Sequence, residues 1–322
     1  MVISRCIEFE PVRYNGQIIS SDFVKVLIDH VEAIPICPEL EIGLGVPRDT
    51  LKLVKMEDEI HLMQPSTGKN LTDDMNRFSE KFFSTLGDVD GFILRSGSPS
   101  SGLIRVKIYG SVEKSPRIGY GVGLFAGKVK ENYGHLAVEE DLRLKNGRIR
   151  EHFLRKLYTL AGFREIKDTH RFGDLVEYHT RNKVQLKAYN EKEMRILGRL
   201  VANRENRSIR DVLRDYEAHL YLALKRAPNC STYTNVLMNS LGYFSDDITA
   251  GEKQFFLKQL QNYRDGKTPL IVPVDIIKSW IIRTDEGYLA NQTFFNPYPE
   301  QLLDIESIIE ACGDRDYWKT LE

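Results

Sequence analysis

Hydrophobic and polar residues follow two different patterns of periodicity along this chain, and one pattern gives way to the other near its middle. In the first part, short apolar runs alternate with stretches whose apolar residues recur every three or four positions. The predicted strands are Val2–Phe9, Ala33–Ile36, Gly91–Leu94 and Val106–Tyr109, with a hairpin over Leu51–Met63. Two helices lie between them, one capped by Ser20 or Ser21 and one that begins at the cap Thr72 and stops at Gly87. Strand–helix–strand order predicts a parallel α/β sheet.

From about residue 147 onward, only the helical period remains. The predicted helices are Arg148–Leu160, Val176–Tyr189, Glu191–Asn203, Ile209–Arg226, Tyr233–Leu241, Gly251–Tyr263, Val274–Arg283 and Pro299–Ala311. We therefore predict an α/β domain over residues 1–165 and an all-α domain over residues 166–322, joined within Gly162–Thr169.

Three polar segments each follow a predicted strand. Cys6 lies near the end of the first strand, Cys37 ends the second, and Ser98–Gly102 follows the third. In parallel sheets, ligands bind where the carboxyl ends of the strands meet, so the three segments are expected on one rim. Two thiols on one rim indicate a metal or iron–sulfur site, in which Ser101 stands where a third cysteine would complete the set.

Each of these segments also has an ordinary structural interpretation. Cys37-Pro38-Glu39 places a carboxylate beside a thiol on a rigid turn, but taken alone it is more often a buried cysteine at a strand end. A string such as Ser98–Gly102 is most often simply a turn. Gly121–Ala126 fits a dinucleotide-binding G-x-G-x-x-A string, but no apolar strand precedes it, and we interpret it as a chance match.

The bulk composition fits an ordinary globular protein. The chain has 322 residues, of which 42% are hydrophobic and 28% charged. It has no apolar run of the roughly 18 residues that a membrane helix needs, and its first residues do not predict a signal peptide. Four irregularly spaced cysteines do not make a disulfide framework, which favours a cytoplasmic location and incidental roles for Cys230 and Cys312.

The net charge of −1 hides an uneven distribution of charged residues. Residues 151–226 contain 17 Lys and Arg against 11 Asp and Glu, a net of +6, whereas residues 227–322 contain 8 against 14, a net of −6. This pattern is typical either of a surface that binds a polyanion or of pairing between the two blocks. The candidate RNA contacts are His179, Arg181, Lys183, Arg199 and Arg204.

Five motifs in the first part occur in the order seen in TudS-type thiouracil desulfidases. They are Ser4–Ile7, Val12–Gly16, Cys37–Arg48 (which begins Cys37-Pro38-Glu39), Gln64–Gly68 and Ser98-Pro99-Ser100-Ser101-Gly102. The helical part resembles the YbgA-like domain. Its motifs are His179–Lys183, Leu200–Arg204, Asn235–Met238, Leu241–Phe244 and Asn296–Pro299. The fusion of the two is similar to the RudS-like desulfidases that act on 4-thiouridine in transfer RNA.

The resemblance implies a [4Fe–4S] cluster on three cysteines with one iron open to the sulfur of a thiolated pyrimidine. The ligand positions correspond to Cys6, Cys37 and Ser101. Glu39 would activate water for attack on the ring carbon, and Ser98 would help to position the substrate or a proton. The expected reaction is non-redox desulfidation of 4-thiouridine in tRNA, or of free thiouracil, with release of sulfide.

Ser101 is the departure from the family pattern, because clusters are held by thiolates as the rule. Three explanations remain open: an engineered Cys→Ser change, a weakened cluster, or loss of catalysis with retention of RNA binding. The sequence therefore leaves three hypotheses. They are a cytoplasmic iron–sulfur desulfidase with an intact or impaired site, a non-catalytic RNA-binding protein with a degenerate cluster site, and a scaffold whose basic helices pair with its own acidic segment.

Overall fold

The computed structural model describes residues 1–113, 115–303 and 318. Its contacts divide the chain into two compact units, the first built on Met1–Phe153 and the second beginning at Leu154. The division falls within a single helix over Gly147–Thr169. The segment Gly162–Thr169, interpreted from the sequence as the joint between domains, is therefore helical, because its apolar positions continue the helical period past Gly162.

The first unit contains nine strands among its described residues. In chain order they are β1 Val2–Ser4, β2 Ile34–Ile36, β3 Lys52–Met56, β4 Glu59–Gln64, β5 Lys69–Asn70, β6 Gly91–Leu94, β7 Val106–Tyr109, β8 Arg117–Gly121 and β9 Ala137–Glu140. The helices that begin in this unit are α1 Asp22–Leu27, α2 Pro38–Glu41, α3 Thr72–Thr85, α4 Leu124–Tyr133 and α5 Gly147–Thr169.

Strands β2, β1, β6 and β9 form a four-stranded sheet in that order, and every pair is parallel. Val2, Ile3, Phe92 and Ile93 on its central strands are completely buried. Parallel sheets are covered on both faces, which explains why these strands are continuous apolar runs without alternation. The predicted parallel α/β domain is confirmed, although β1 ends at Ser4 rather than Phe9.

A second sheet has the order β5-β4-β3-β7-β8 and is mixed, with β3 and β7 parallel and the other neighbours antiparallel. Its hairpin β3–β4 matches the predicted one. Strand β8 was not predicted, because Gly119 and Gly121 interrupt its alternation and Ile118 and Tyr120 face solvent. Strand β8 pairs with β7 and forms one edge of this sheet.

Helix α3 carries the aromatic residues that join it to α4. Phe78 and Phe83 both contact Phe125, with ring centroids 5.9 and 5.5 Å apart. The aromatic residues of α3 thus pack against α4, whereas the predicted cap of the helix is wrong by one residue. Leu71 is the N-cap, whereas Thr72 is already helical, and its hydroxyl accepts a hydrogen bond from the amide of Leu62 at 2.9 Å.

The second unit is helical from end to end of its described part, as predicted. Its further helices are α6 Phe172–Tyr189, α7 Glu191–Ala202, α8 Ile209–Ala223, α9 Cys230–Leu241, α10 Ala250–Arg264, α11 Ile271–Thr284 and α12 Gly287–Ala290. Trp280 on α11 lies in the hydrophobic core of this unit and packs against Phe244 and Phe256. Of the predicted helix Pro299–Ala311, the structure describes only a short 3₁₀ turn at Glu300–Leu302, and residues 304–311 lie outside the described residues.

Cys230 departs from the sequence-based interpretation, because it is disulfide-bonded rather than incidental. Cys312 lies outside the described residues. Within the described ranges, no helix has both the length and the apolar character needed to cross a bilayer.

Candidate active site

A cavity of about 570 Å³ opens at the carboxyl edge of the parallel sheet. Cys6, Cys37, Glu39, Ser98 and Ser101 all line it. Five sequence-predicted residues from three separate loops are therefore brought together, as the parallel topology requires.

The first two loops are held at the ends of β1 and β2. The amide of Arg5 donates to the carbonyl of Ile36 at 2.8 Å, which ties the loop after β1 to the end of β2. Cys37 is the N-cap of α2, and Pro38 is its first helical residue, a position where proline costs no hydrogen bond. Glu39 is thereby fixed on the first turn of α2, directly after the segment that holds the Cys37 thiol.

The Ser98–Gly102 loop rests on the N-terminus of α4. Gly123, Leu124 and Ala126 donate their amides to the carbonyls of Gly102, Pro99 and Ser100, at 2.8, 3.2 and 3.0 Å. A Cβ atom on Gly123 would lie 2.5 Å from the carbonyl oxygen of Ser100, so only glycine allows this approach. The G-x-G-x-x-A string thus has a structural role in holding the loop.

Hydroxyl groups organise the inside of the loop. The Ser98 hydroxyl accepts the amides of Ser100 and Ser101 at 3.3 and 3.2 Å, in the manner of a serine turn. It also lies 2.9 Å from the Ser100 hydroxyl, which in turn lies 3.4 Å from that of Ser101. Ser100 and Ser101 are 1% and 4% exposed, so their hydroxyls face the interior of the site.

The Glu39 carboxylate is held on both of its oxygens. Its Oε2 accepts from Arg48 Nε at 2.8 Å, and its Oε1 accepts from the hydroxyls of Ser100 and Ser98 at 2.8 and 3.3 Å. The side chains of Arg48 and Glu39 are only 6% and 13% exposed. Arg48 and Ser100 were not predicted as site residues, although Arg48 is the last residue of the Cys37–Arg48 motif and Ser100 belongs to the Ser98–Gly102 motif.

The two thiols share one buried environment. Burial, and to a lesser extent the neighbouring Cys37, raise the pKa of Cys6 from 9.0 to about 12. Burial also raises the pKa of Cys37, against the opposing effect of a backbone hydrogen bond from Leu40. Both thiols are therefore protonated at neutral pH, and a metal must displace their protons to bind.

The fourth strand of the sheet also contributes to the rim. Asp141 follows β9, pairs with Arg95 of the cavity wall and accepts the amide of Ser96 at 2.9 Å. The Arg95 amide donates to the Ser4 hydroxyl at 2.9 Å, joining the ends of β6 and β1. These contacts were not predicted, because the acidic strand β9 carries no alternating pattern.

The donor atoms of the cavity differ from a three-thiolate set. Cys6 and Cys37 are free thiols, and Ser101 offers a hydroxyl oxygen, a harder ligand than sulfur. Among the residues that the structure describes, no three His, Cys, Asp or Glu side chains converge as a metal site. The residues present are therefore one thiolate short of what a [4Fe–4S] cluster with an open iron requires.

The candidate RNA residues lie in the helical unit, and one of them needs correction. His179 is 7% exposed, and its Nδ1 lies 3.1 Å from the hydroxyl of Tyr216. Burial lowers its pKa from 6.5 to about 4, with a smaller contribution from Lys183. His179 is therefore a neutral core residue, because it falls on the buried side of α6, and it is not an RNA contact.

The other four predicted RNA residues are exposed cations. Arg181 and Lys183 lie on α6, Arg199 lies on α7, and Arg204 follows α7. Arg181 lies 4.0 Å from Glu177, a pair with little energetic weight at this exposure. These side chains are accessible to a polyanion.

Comparison with known proteins relates each part of the chain to a separate family. Residues 1–141 match the 2-thiouracil desulfurase family, and residues 183–299 match a family described as a protein of unknown function, DUF1722. The YbgA protein of Escherichia coli strain K12 is 31% identical over 128 residues, which cover 39% of this chain and 76% of that protein. Among solved structures, the [4Fe-4S]-dependent thiouracil desulfidase TudS matches at 24% identity and a TM-score of 0.35, over 45% of this chain and 91% of its own.

The fold and the site thus define a class of protein in which an α/β domain with a candidate active site is followed by a helical domain. The chain belongs to the YbgA-like family, and it joins that helical domain to a domain of the 2-thiouracil desulfurase family.

Proposed function

We propose that this protein removes sulfur from a thiolated pyrimidine in the cavity at the edge of the parallel sheet. The observation that carries the proposal is a carboxylate, Glu39, held on both oxygens within one cavity that also contains the thiols of Cys6 and Cys37. The match of residues 1–141 to the 2-thiouracil desulfurase family supports the same chemistry.

The net reaction replaces a thiocarbonyl by a carbonyl. One water is consumed and one hydrogen sulfide is released, and no electron is gained or lost. Glu39 accepts a proton from the attacking water, because it is the carboxylate that lines the cavity among the described residues. Arg48 fixes the orientation of that carboxylate, and the hydroxyls of Ser98 and Ser100 provide a path for a proton toward the departing sulfur.

The cofactor proposal follows from the donor atoms. The relative TudS is named as [4Fe-4S]-dependent, and Cys6, Cys37 and Ser101 are the positions at which such a cluster would be held here. With a hydroxyl at Ser101, we expect iron to bind below one cluster per chain. The same substitution favours a second candidate function, a non-catalytic RNA-binding protein with a degenerate cluster site.

We propose 4-thiouridine in tRNA as the substrate, with free thiouracil as the alternative, and the cytoplasm as the location. Anaerobic incubation with tRNA containing 4-thiouridine, and separately with free thiouracil, tests this directly. The loss of thiocarbonyl absorbance should equal the sulfide released, and tRNA should react faster than the free base. If a Ser101→Cys chain that carries a full cluster releases no sulfide from either substrate, the non-catalytic candidate function replaces the enzymatic one.

We expect the affinity of the helical unit for tRNA to fall steeply with salt. Replacing Arg181 and Lys183 by Ala should weaken binding and lower the slope of log K against log salt by roughly 0.7 to 0.9 for each phosphate that is no longer neutralised. The control replaces Lys253 and Lys258, two exposed lysines on α10 in the acidic block. Filter binding over a salt series measures the affinity of both variants. Equal slopes of log K against log salt in the two variants would mean that Arg181 and Lys183 do not contact RNA phosphates.

A further inference from the structure

The second sheet carries a basic and aromatic face beside the cavity. Lys52 on β3 and Lys107 on β7 each directly precede a residue of the paired positions Leu53 and Ile108, and Lys107 pairs with Tyr120 on β8. Tyr109 follows on the same side of β7, since side chains two apart along a strand share a face. Lys52, Lys107 and Tyr109 also line the cavity, so the face is continuous with it.

Each tyrosine of this face is paired with a cation. The Lys52 ammonium lies 5.1 Å from the centre of the Tyr109 ring, and the guanidinium groups of Arg105 and Arg117 lie 4.9 and 4.3 Å from that of Tyr120. At a further edge of the cavity, Arg13 stands over Tyr14 at 5.3 Å. Aromatic rings next to cations are the arrangement by which proteins bind single-stranded nucleic acid, with bases on the rings and phosphates on the cations.

The cations of this face are not neutralised by carboxylates of the described residues. Within that part of the chain, no carboxylate forms an ion pair with Lys52, Arg105, Lys107 or Arg117. Glu39, the carboxylate that lines the cavity there, is already neutralised by Arg48. The face is therefore complementary to a polyanion, and its cations need not break an ion pair to bind one.

The extent of the face indicates a ligand longer than one nucleotide. From β3 through β7 to β8 it spans two strand spacings, about 10 Å. Tyr120 is 44% exposed on the outermost strand, beyond the residues that line the cavity. A base that occupies the cavity would leave Tyr120 and Arg117 to the nucleotides that flank it.

We propose that this face, formed by Lys52, Arg105, Lys107, Tyr109, Arg117 and Tyr120, binds the single-stranded RNA that flanks the target base. The choice of RNA rests on the proposed function. The location does not, because it follows from the charges and rings of the second sheet. The desulfurase-type domain therefore holds the substrate strand itself, independently of the exposed cations of the helical unit.

The test measures binding of a short oligouridylate, without any thiolated base, to the full chain by fluorescence anisotropy. Replacing Lys107 and Arg117 by Ala should weaken binding about tenfold and lower the salt slope by about 1.4, which corresponds to two single-strand phosphate contacts. Tyr120→Leu should weaken binding by a similar factor through the absence of stacking while leaving the salt slope unchanged. The charge-preserving pair Lys107→Arg and Arg117→Lys should bind like the parent chain.

The matched control replaces Arg77 and Lys81, two exposed cations on α3 that do not line the cavity. Equal losses of affinity in the control and in the Lys107 and Arg117 variant overturn the proposal, as does an unaltered affinity in the latter. An acidic peptide of equal charge that binds as tightly as the oligonucleotide also overturns it, because stacking selects bases. Sulfide release plays no part in this assay, so its outcome is separate from that of the proposed catalysis.

Discussion

Changing Ser101 to Cys is expected to convert a chain that binds iron poorly into one that binds a full cluster. The substituted residue would supply the third thiolate in a loop that already lines the same cavity as Cys6 and Cys37. Anaerobic reconstitution should then raise iron to about four per chain, with matching sulfide and a broad visible absorption. Release of sulfide from 4-thiouridine or thiouracil should appear or rise together with the colour.

Two further variants test whether iron binding depends on the position of the added thiol or only on the number of thiols in the chain. Ser84→Cys adds a free thiol on the exposed surface of α3 and should leave iron content unchanged. Combining Ser101→Cys with Cys37→Ser returns the cavity to two thiols and one hydroxyl, and should lower iron content to that of the parent chain. If the Ser101→Cys chain binds a full cluster and never desulfurates a thiolated pyrimidine, the enzymatic proposal is wrong.

Adding Glu39→Gln to the Ser101→Cys chain is expected to stop turnover while leaving the cluster in place. The amide is isosteric, so its oxygen can accept from Arg48 while its nitrogen donates to the Ser100 hydroxyl. It cannot accept a proton from water, and loss of a general base lowers rates by roughly 10² to 10⁴. Iron content, visible spectrum and sulfide release measured on the same sample distinguish the two effects.

Glu41→Gln is the matched control for that change. Glu41 lies two residues further along α2 and pairs with Arg5 at 3.4 Å, with 39% of its side chain exposed. The same chemical substitution there should leave sulfide release within about twofold of the Ser101→Cys chain, since surface ion pairs contribute little. Equal decreases at Glu39 and Glu41 would mean that the effect is general and not catalytic.

The sequence predicted the strands that are apolar throughout, because burial on both faces leaves an unmistakable run. Gly91–Leu94 was predicted to the residue for that reason. Val106–Tyr109 was also predicted to the residue, but it contains the exposed Lys107 and is not buried on both faces. Strand β9, with its two glutamates, and the glycine-containing β8 were missed, because their positions are set by pairing with neighbours distant in sequence. The separation of the first unit into two sheets was missed for the same cause.

The cavity was predictable to the extent that chain order dictates it. Cys6, Cys37 and Ser98–Gly102 meet because parallel strands end at one edge of the sheet. Each of them follows an apolar run that can be recognised as a strand from the sequence. Arg48 and Asp141 could not be found in that way, since their roles depend on which side chains reach across the rim. His179 was assigned wrongly because a linear cluster of cations conceals which side of α6 is buried.

The loop that carries Ser101 owes its shape to main-chain hydrogen bonds with the start of α4 and to the two glycines Gly102 and Gly123. No side chain at position 101 is needed to hold that shape. Four of the six serine codons are one nucleotide away from a cysteine codon, so a thiol can be gained or lost at this position in one step without rebuilding the loop. The shape of the loop and the chemistry of the side chain at position 101 are therefore independent, because the same main-chain contacts can hold either a hydroxyl or a thiol.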